Sequence, residues 1–163
     1  MMTGVSETVL INDDVAVEDS SYTTGRRGVA ATVIVEKIVG SLAETGGSLK
    51  ECKILGDKVN RNSGSMGVAF SSCTVPAAGK PTFKLGPDEM EFGVGIHGEP
   101  GRRRDKVQPA QEITNELLGA IIEDLKLENN GEILLFVNGM GGTPLTELYL
   151  LYDNAKKTLD NKN

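Results

Sequence analysis

Ile133-Leu134-Leu135-Phe136-Val137 is an unbroken apolar run, bounded by Asn129-Asn130-Gly131 on one side and Asn138-Gly139-Met140-Gly141-Gly142 on the other. A run this short, flanked by turn formers, predicts a strand in a sheet covered on both faces. Upstream, Ile113, Leu117, Leu118, Ile121, Ile122 and Leu125 recur at helical spacing, which predicts an amphipathic helix over 109–125. Downstream, Thr143 is placed to cap a helix with Pro144 at its first position, and Leu145, Leu148, Tyr152, Ala155 and Leu159 form its expected buried stripe. Helix, buried strand, glycine-rich turn and helix in succession predict an α/β fold.

The first half repeats the pattern. Thr8-Val9-Leu10-Ile11 reads as a buried strand stopped by Asn12-Asp13-Asp14. Arg26-Arg27-Gly28 opens a helical stretch to about 44, with Val29, Val33, Ile34, Ile38 and Leu42 on its apolar face and Gly46-Gly47 at its end. Ser48-Leu49-Lys50-Glu51 is a capping box, and its helix should run to about 60. Residues 66–70 read as strand-like. Residues 72–101 are dense in glycine and proline; Phe92-Gly93-Val94-Gly95-Ile96 alternates as a strand does where something approaches its backbone. Residues 102–106 read as a charged, mobile loop. The expected architecture is strands alternating with amphipathic helices, in parts of two α/β lobes: 1–90 the C-terminal part of the first, 91–163 the N-terminal part of the second.

The chain has 163 residues and a net charge of -6. An acidic surface repels nucleic acid and anionic membranes, so neither is an expected partner. No run reaches the roughly 20 apolar residues of a membrane span, and no signal peptide is visible. Cys52 and Cys73 make neither a zinc cluster nor a disulfide framework, which points to reduced thiols and a cytoplasmic location.

The single histidine, His97, stands in Gly93-Val94-Gly95-Ile96-His97-Gly98-Glu99-Pro100-Gly101, at the end of an expected strand, where open α/β sheets place ligands. Glycines on both sides let a small molecule reach the ring, and neutral imidazole is a nucleophile. On residue types alone, a structural histidine in a glycine-rich turn is the favoured reading over a functional one. The loop 138–142 before a helix could hold an anion, but it fits neither the P-loop nor the dinucleotide fingerprint, and a tight strand-to-helix connection is the better reading. The acidic residues Asp13, Asp14, Glu18 and Asp19 lack calcium-loop spacing and read as a solvated loop. Arg26 and Arg27 are expected to pair with carboxylates such as Glu18 or Asp19. Ser71, Ser72, Cys73 and Thr74 offer nucleophiles, but only His97 could activate them.

Blocks around Asn12-Asp13-Asp14-Val15-Ala16-Val17-Glu18-Asp19-Ser20, Gly25-Arg26-Arg27-Gly28-Val29-Ala30, Ser72-Cys73-Thr74-Val75-Pro76-Ala77-Ala78-Gly79-Lys80-Pro81, 89–101 and Asn138-Gly139-Met140-Gly141-Gly142-Thr143-Pro144-Leu145 resemble, in this order, the substrate-binding subunit of the dihydroxyacetone (glycerone) kinases. The resemblance implies that His97 forms a covalent hemiaminal with the dihydroxyacetone carbonyl, with Gly95 and Gly98 lining the substrate. It implies a phosphoryl donor, ATP or a tightly bound ADP with Mg, held by a partner subunit or domain, with no cofactor on this chain. It also implies a homodimer when full length. The family's general acid and base lie in a region with a Gly-Gly-Gly-Ser-Gly-His-Glu-Pro block, which does not occur here. The expectation is therefore an internal piece, cut at both ends and inactive as a kinase by itself. A non-catalytic dihydroxyacetone-binding regulator of the same family is the alternative.

Overall fold

The structure is a computed structural model that describes residues 4–17, 25–72, 74, 76, 77, 79–96 and 99–162. It contains helices α1 (Ala31–Glu44), α2 (Leu49–Arg61), α3 (Ala110–Leu125) and α4 (Leu145–Asp160), and strands β1 (Val68–Ala69), β2 (Glu89–Phe92) and β3 (Arg103–Lys106). The fold class is α/β, as expected. Two compact units divide between Ser65 and Met66. The lobe boundary expected at 90/91 falls within β2.

In the first unit α1 packs on α2. The capping box forms as read: Ser48 accepts from the Glu51 N–H, and the Glu51 carboxylate accepts from the Ser48 N–H. The apolar face of α1 is rotated from the expected one. Ala31 and Val35 are buried, whereas Val33 and Ile38 are exposed. Residues 8–11, expected as a strand, form none and pair with no strand among the described residues. They are tied to α2 instead: Asn60, buried on that helix, donates to the Leu10 carbonyl and to Asn12 Oδ1, and accepts from the Asn12 N–H. Gly56 allows the approach, since a Cβ there would lie 2.7 Å from Val9 Cγ2. A parallel bridge joins Asp14 to Ser65.

The acidic turn is not solvated. Asp13 is fully buried, and its carboxylate accepts from the N–H groups of Val29 at 2.7 Å and Ala31 at 3.1 Å. It thus caps α1, whose own N-cap, Ala30, supplies no side-chain acceptor. Asp14 is also buried and accepts from Arg27 Nε at 2.7 Å and from the Ala16 N–H. Arg27 thus pairs with Asp14; Glu18 and Asp19, the expected carboxylates, lie outside the described residues. Burial is the largest influence on Asp14 and pushes its carboxyl above the usual range, against the pull of the Ala16 N–H and the Arg27 charge.

In the second unit the strands form an antiparallel sheet in the order β1-β2-β3. Met90 and Phe92 of β2 meet Ile113 of α3 to make the core, with Met66, Val68 and Leu117 packed around it. The stretch read as a mobile charged loop is the edge strand β3. Its register sets Arg104 opposite Glu91 and Lys106 opposite Glu89 on one face, with Arg103 opposite Phe92 on the other. Charged residues suit an edge strand because they block further pairing. Arg103 lies over the Phe92 ring, 4.7 Å from its centroid, and grips Glu116 of α3 through both carboxylate oxygens.

α3 matches its predicted span, with Pro109 as N-cap. α4 starts one residue later than predicted, with Pro144 rather than Thr143 as N-cap. Of its expected buried stripe only Ala155 is buried; Leu145 and Tyr152 are exposed. Residues 133–137 form no strand, and Ile133, Leu134 and Phe136 are exposed.

Candidate functional site

The strand expected over 92–96 lies earlier, at Glu89–Phe92, and the glycine-rich stretch is the connection that leaves β2 and returns into β3. Its described residues are held at several points. The Gly93 N–H donates to the Gly67 carbonyl at 2.7 Å, beside β1. The Arg102 N–H donates to the Phe92 carbonyl at 2.8 Å, closing the base of the loop. Within it, the buried Gly95 donates its N–H to the Glu99 carbonyl at 3.1 Å. Of the expected site residues, Gly95 is therefore placed; His97 and Gly98 lie outside the described residues.

A side chain that sequence reasoning gave no role stands at this loop. Glu91, on the solvent face of β2, accepts from the Gly101 N–H at 2.9 Å through Oε1 and from Arg104 at 3.0 Å through Oε2. The Gly101 N–H, more than Arg104, holds the Glu91 carboxyl below its usual range, with some opposition from burial. Position 101 requires glycine: a Cβ would lie 2.2 Å from the Phe92 carbonyl oxygen. The signal available in the sequence was the pattern Glu-x₉-Gly-x₂-Arg across a glycine-rich hairpin, which becomes visible only once the register is known.

The other candidates resolve into structural roles. The loop before α4 uses its N–H groups internally: Gly142 and Thr143 both donate to the Gly139 carbonyl, and Met140 donates to Asn138 Oδ1. It is a tight connection. Ser72 Oγ accepts from the N–H groups of Thr82 and Phe83; Cys73 lies outside the described residues. Cys52 is a free, half-buried thiol on α2. Among the described residues no cluster of three or more His, Cys, Asp or Glu could hold a metal ion. None of their helices is long and apolar enough to cross a membrane. Two cavities of about 500 and 630 Å³ open against α4, and neither is lined by Gly95 or Glu91.

The sequence matches the Dak1 domain over residues 2–163. It is 49% identical over 155 residues to the PTS-dependent dihydroxyacetone kinase 1, dihydroxyacetone-binding subunit DhaK, of Listeria innocua, covering 95% of this chain and 47% of that protein. It is 44% identical to the PEP-dependent dihydroxyacetone kinase, dihydroxyacetone-binding subunit DhaK, of Escherichia coli, covering 90% of this chain and 48% of that one. Among solved structures, the dihydroxyacetone kinase operon co-activator Dha-DhaQ superposes with a TM-score of 0.81 at 35% identity, over 93% of this chain and 47% of that chain. The dihydroxyacetone kinase of C. freundii superposes with a TM-score of 0.79 at 28% identity, over 93% of this chain and 27% of that chain. The chain spans about half the length of these two curated relatives. With the glycine-rich hairpin and its flanking helices matched throughout, the chain belongs to the Dak1 domain family.

Proposed function

We propose that the chain is the part of a dihydroxyacetone kinase that captures dihydroxyacetone on His97. The observation that carries the reading is the 49% identity, over 95% of the chain, to a subunit named for binding dihydroxyacetone. The hairpin supports it: a loop closed at Phe92–Arg102 and Gly95–Glu99, with glycine at 93, 95, 98 and 101, has little side-chain bulk at those four positions. The imidazole nitrogen lone pair adds to the carbonyl carbon, the C=O π pair moves to oxygen, and the imidazole proton is transferred to that oxygen. The product is a hemiaminal, and Gly95 and Gly98 leave room for it. Glycerol has no carbonyl and cannot form this bond, so selectivity follows from reactivity.

Phosphoryl transfer then goes to a terminal hydroxyl, largely through positioning and charge stabilisation. The donor nucleotide and its Mg belong to a partner subunit or domain. A C. freundii dihydroxyacetone kinase of the same fold is known in complex with AMP-PNP and Mg2+.

Mass spectrometry of the chain mixed with dihydroxyacetone tests the capture, with His97→Ala as control. The expected result is a mass gain of one dihydroxyacetone that the control lacks. Borohydride should not fix it, because an imidazole adduct cannot lose water to a reducible imine, as a lysine adduct would. An adduct equal in both proteins, or none in either, removes His97 from the reading.

The 0.81 TM-score with an operon co-activator favours a second reading, a dihydroxyacetone-binding regulator without kinase activity. Adding a nucleotide-bearing kinase partner and its phosphoryl donor to a full-length protein containing this chain separates the two. Phosphorylated dihydroxyacetone is expected only from the kinase; the 163-residue chain itself is expected to give little or none.

A further inference from the structure

The connection between β2 and β3 is rich in glycine. Glycine stands at 93, 95, 98 and 101. A loop of this composition has high conformational entropy, and a nucleophile on it needs the loop fixed from outside. The outgoing arm is fixed to β1 by the Gly93–Gly67 bond. The returning arm is fixed by a side chain: Glu91 reaches from β2 to the Gly101 N–H with one carboxylate oxygen and holds Arg104 of β3 with the other. Its side chain is only 13% exposed, against 45% for Arg104, so the contact is shielded on the Glu91 side. Gly101 lies so close to the Phe92 carbonyl that no other residue fits. One carboxylate therefore ties together both strands and the end of the loop.

We propose that Glu91 is a positioning residue for the loop that carries His97, pinning its returning arm at Gly101. The role rests on the capture reading given above. Glu89 supplies an internal control. It lies on the same strand and face and within 3.8 Å of Arg104, but its carboxylate accepts from the Gly86 N–H and not from the loop.

The test uses the 163-residue chain, in which His97 is the single histidine and therefore gives unambiguous imidazole NMR signals. Glu91→Leu, Glu91→Gln and Glu89→Gln are compared with the unsubstituted protein for Gly101 amide exchange, the His97 imidazole shifts and the dihydroxyacetone adduct constant. In Glu91→Leu, Gly101 exchange is expected to rise and the adduct constant to fall, each about tenfold, as loss of a charge-assisted bond implies, with moved imidazole signals. Glu91→Gln keeps an acceptor for Gly101 and should recover most of the loss; being isosteric, it carries the comparison by its smaller, same-direction changes if the leucine variant does not fold. Glu89→Gln should match the unsubstituted protein. Gly101 exchange and imidazole signals unchanged by both Glu91 substitutions would overturn the proposal, as would equal effects from Glu89→Gln. If the imidazole and Gly101 respond to Glu91 while no variant forms an adduct, the anchoring stands and the capture reading fails.

Discussion

Asp13 and Asp14 are neighbours in sequence with different work. Asp13 gives both oxygens to backbone N–H groups at the start of α1, where the helix dipole favours negative charge. Asp13→Ala leaves those donors without their acceptor, one of them on the buried Ala31, and is expected to cost about 2–3 kcal/mol in urea unfolding. Asp14 and Glu91 should respond to acid in opposite senses. The folded-state value of Asp14 is raised, so its contribution to stability is complete below the unfolded value near about pH 4 and is lost as pH rises through the folded one. That of Glu91 is lowered, so its contribution is present above the unfolded value and is lost as pH falls through the folded one. Between about pH 3 and 6, D14N should therefore gain stability relative to the unsubstituted protein as pH rises, and E91Q should fall behind it. Parallel curves for the two variants would contradict the assigned environments. None of this was legible in Asn12-Asp13-Asp14 itself, because a carboxylate's burial depends on donors that arrive from residues 27–31.

The elements divide by how local their causes are. α2 and α3 match their predicted spans closely, since caps and 3.6-residue spacing act within a few turns. The strands were read less well. β3 was taken for a loop because edge strands carry charge, and β2 was placed too late because pairing, which sets its limits, is a property of two segments. The face of α4 was also misjudged: its spacing is helical, but a stripe is buried only where something covers it. Substitutions at Ile113 and Leu145 measure that difference. Ile113 is 3% exposed in the core between β2 and α3, so Ile113→Ala should cost about 3 kcal/mol. Leu145 is 65% exposed on α4, so Leu145→Ala should cost less than about 0.5 kcal/mol. Thermal or urea unfolding of the two variants under the same conditions checks both values. At the candidate site the family blocks pointed to His97, whereas Glu91 became visible only through the hairpin that sets it beside Gly101.

Across the whole molecule, the most apolar stretches are not the best protected. Residues 133–137 form no strand and have no partner strand among the described residues, and Leu134 is 72% exposed. Their amides should exchange with solvent within seconds, while those in the middle of α3 persist far longer, as hydrogen-exchange mass spectrometry would show. Slow exchange over 133–137 would mean that this segment is covered in solution. The α/β class is legible because it rests on element order; of the sheet that actually forms only β1, within 66–70, is placed by composition, and residues 8–11 and 133–137, the clearest strands by composition, pair with no strand among the described residues.

The two helices of the first unit differ in when they can form. The Ser48–Glu51 reciprocal cap lies within α2's own first turn, so that helix can nucleate as soon as its residues are free to move. The acceptor for α1 comes from Asp13, 18 residues before Ala31, and closing that loop costs chain entropy before any bond is gained. In refolding, α2 should therefore take shape early, and α1 should become secure only when the acidic turn swings in to meet it.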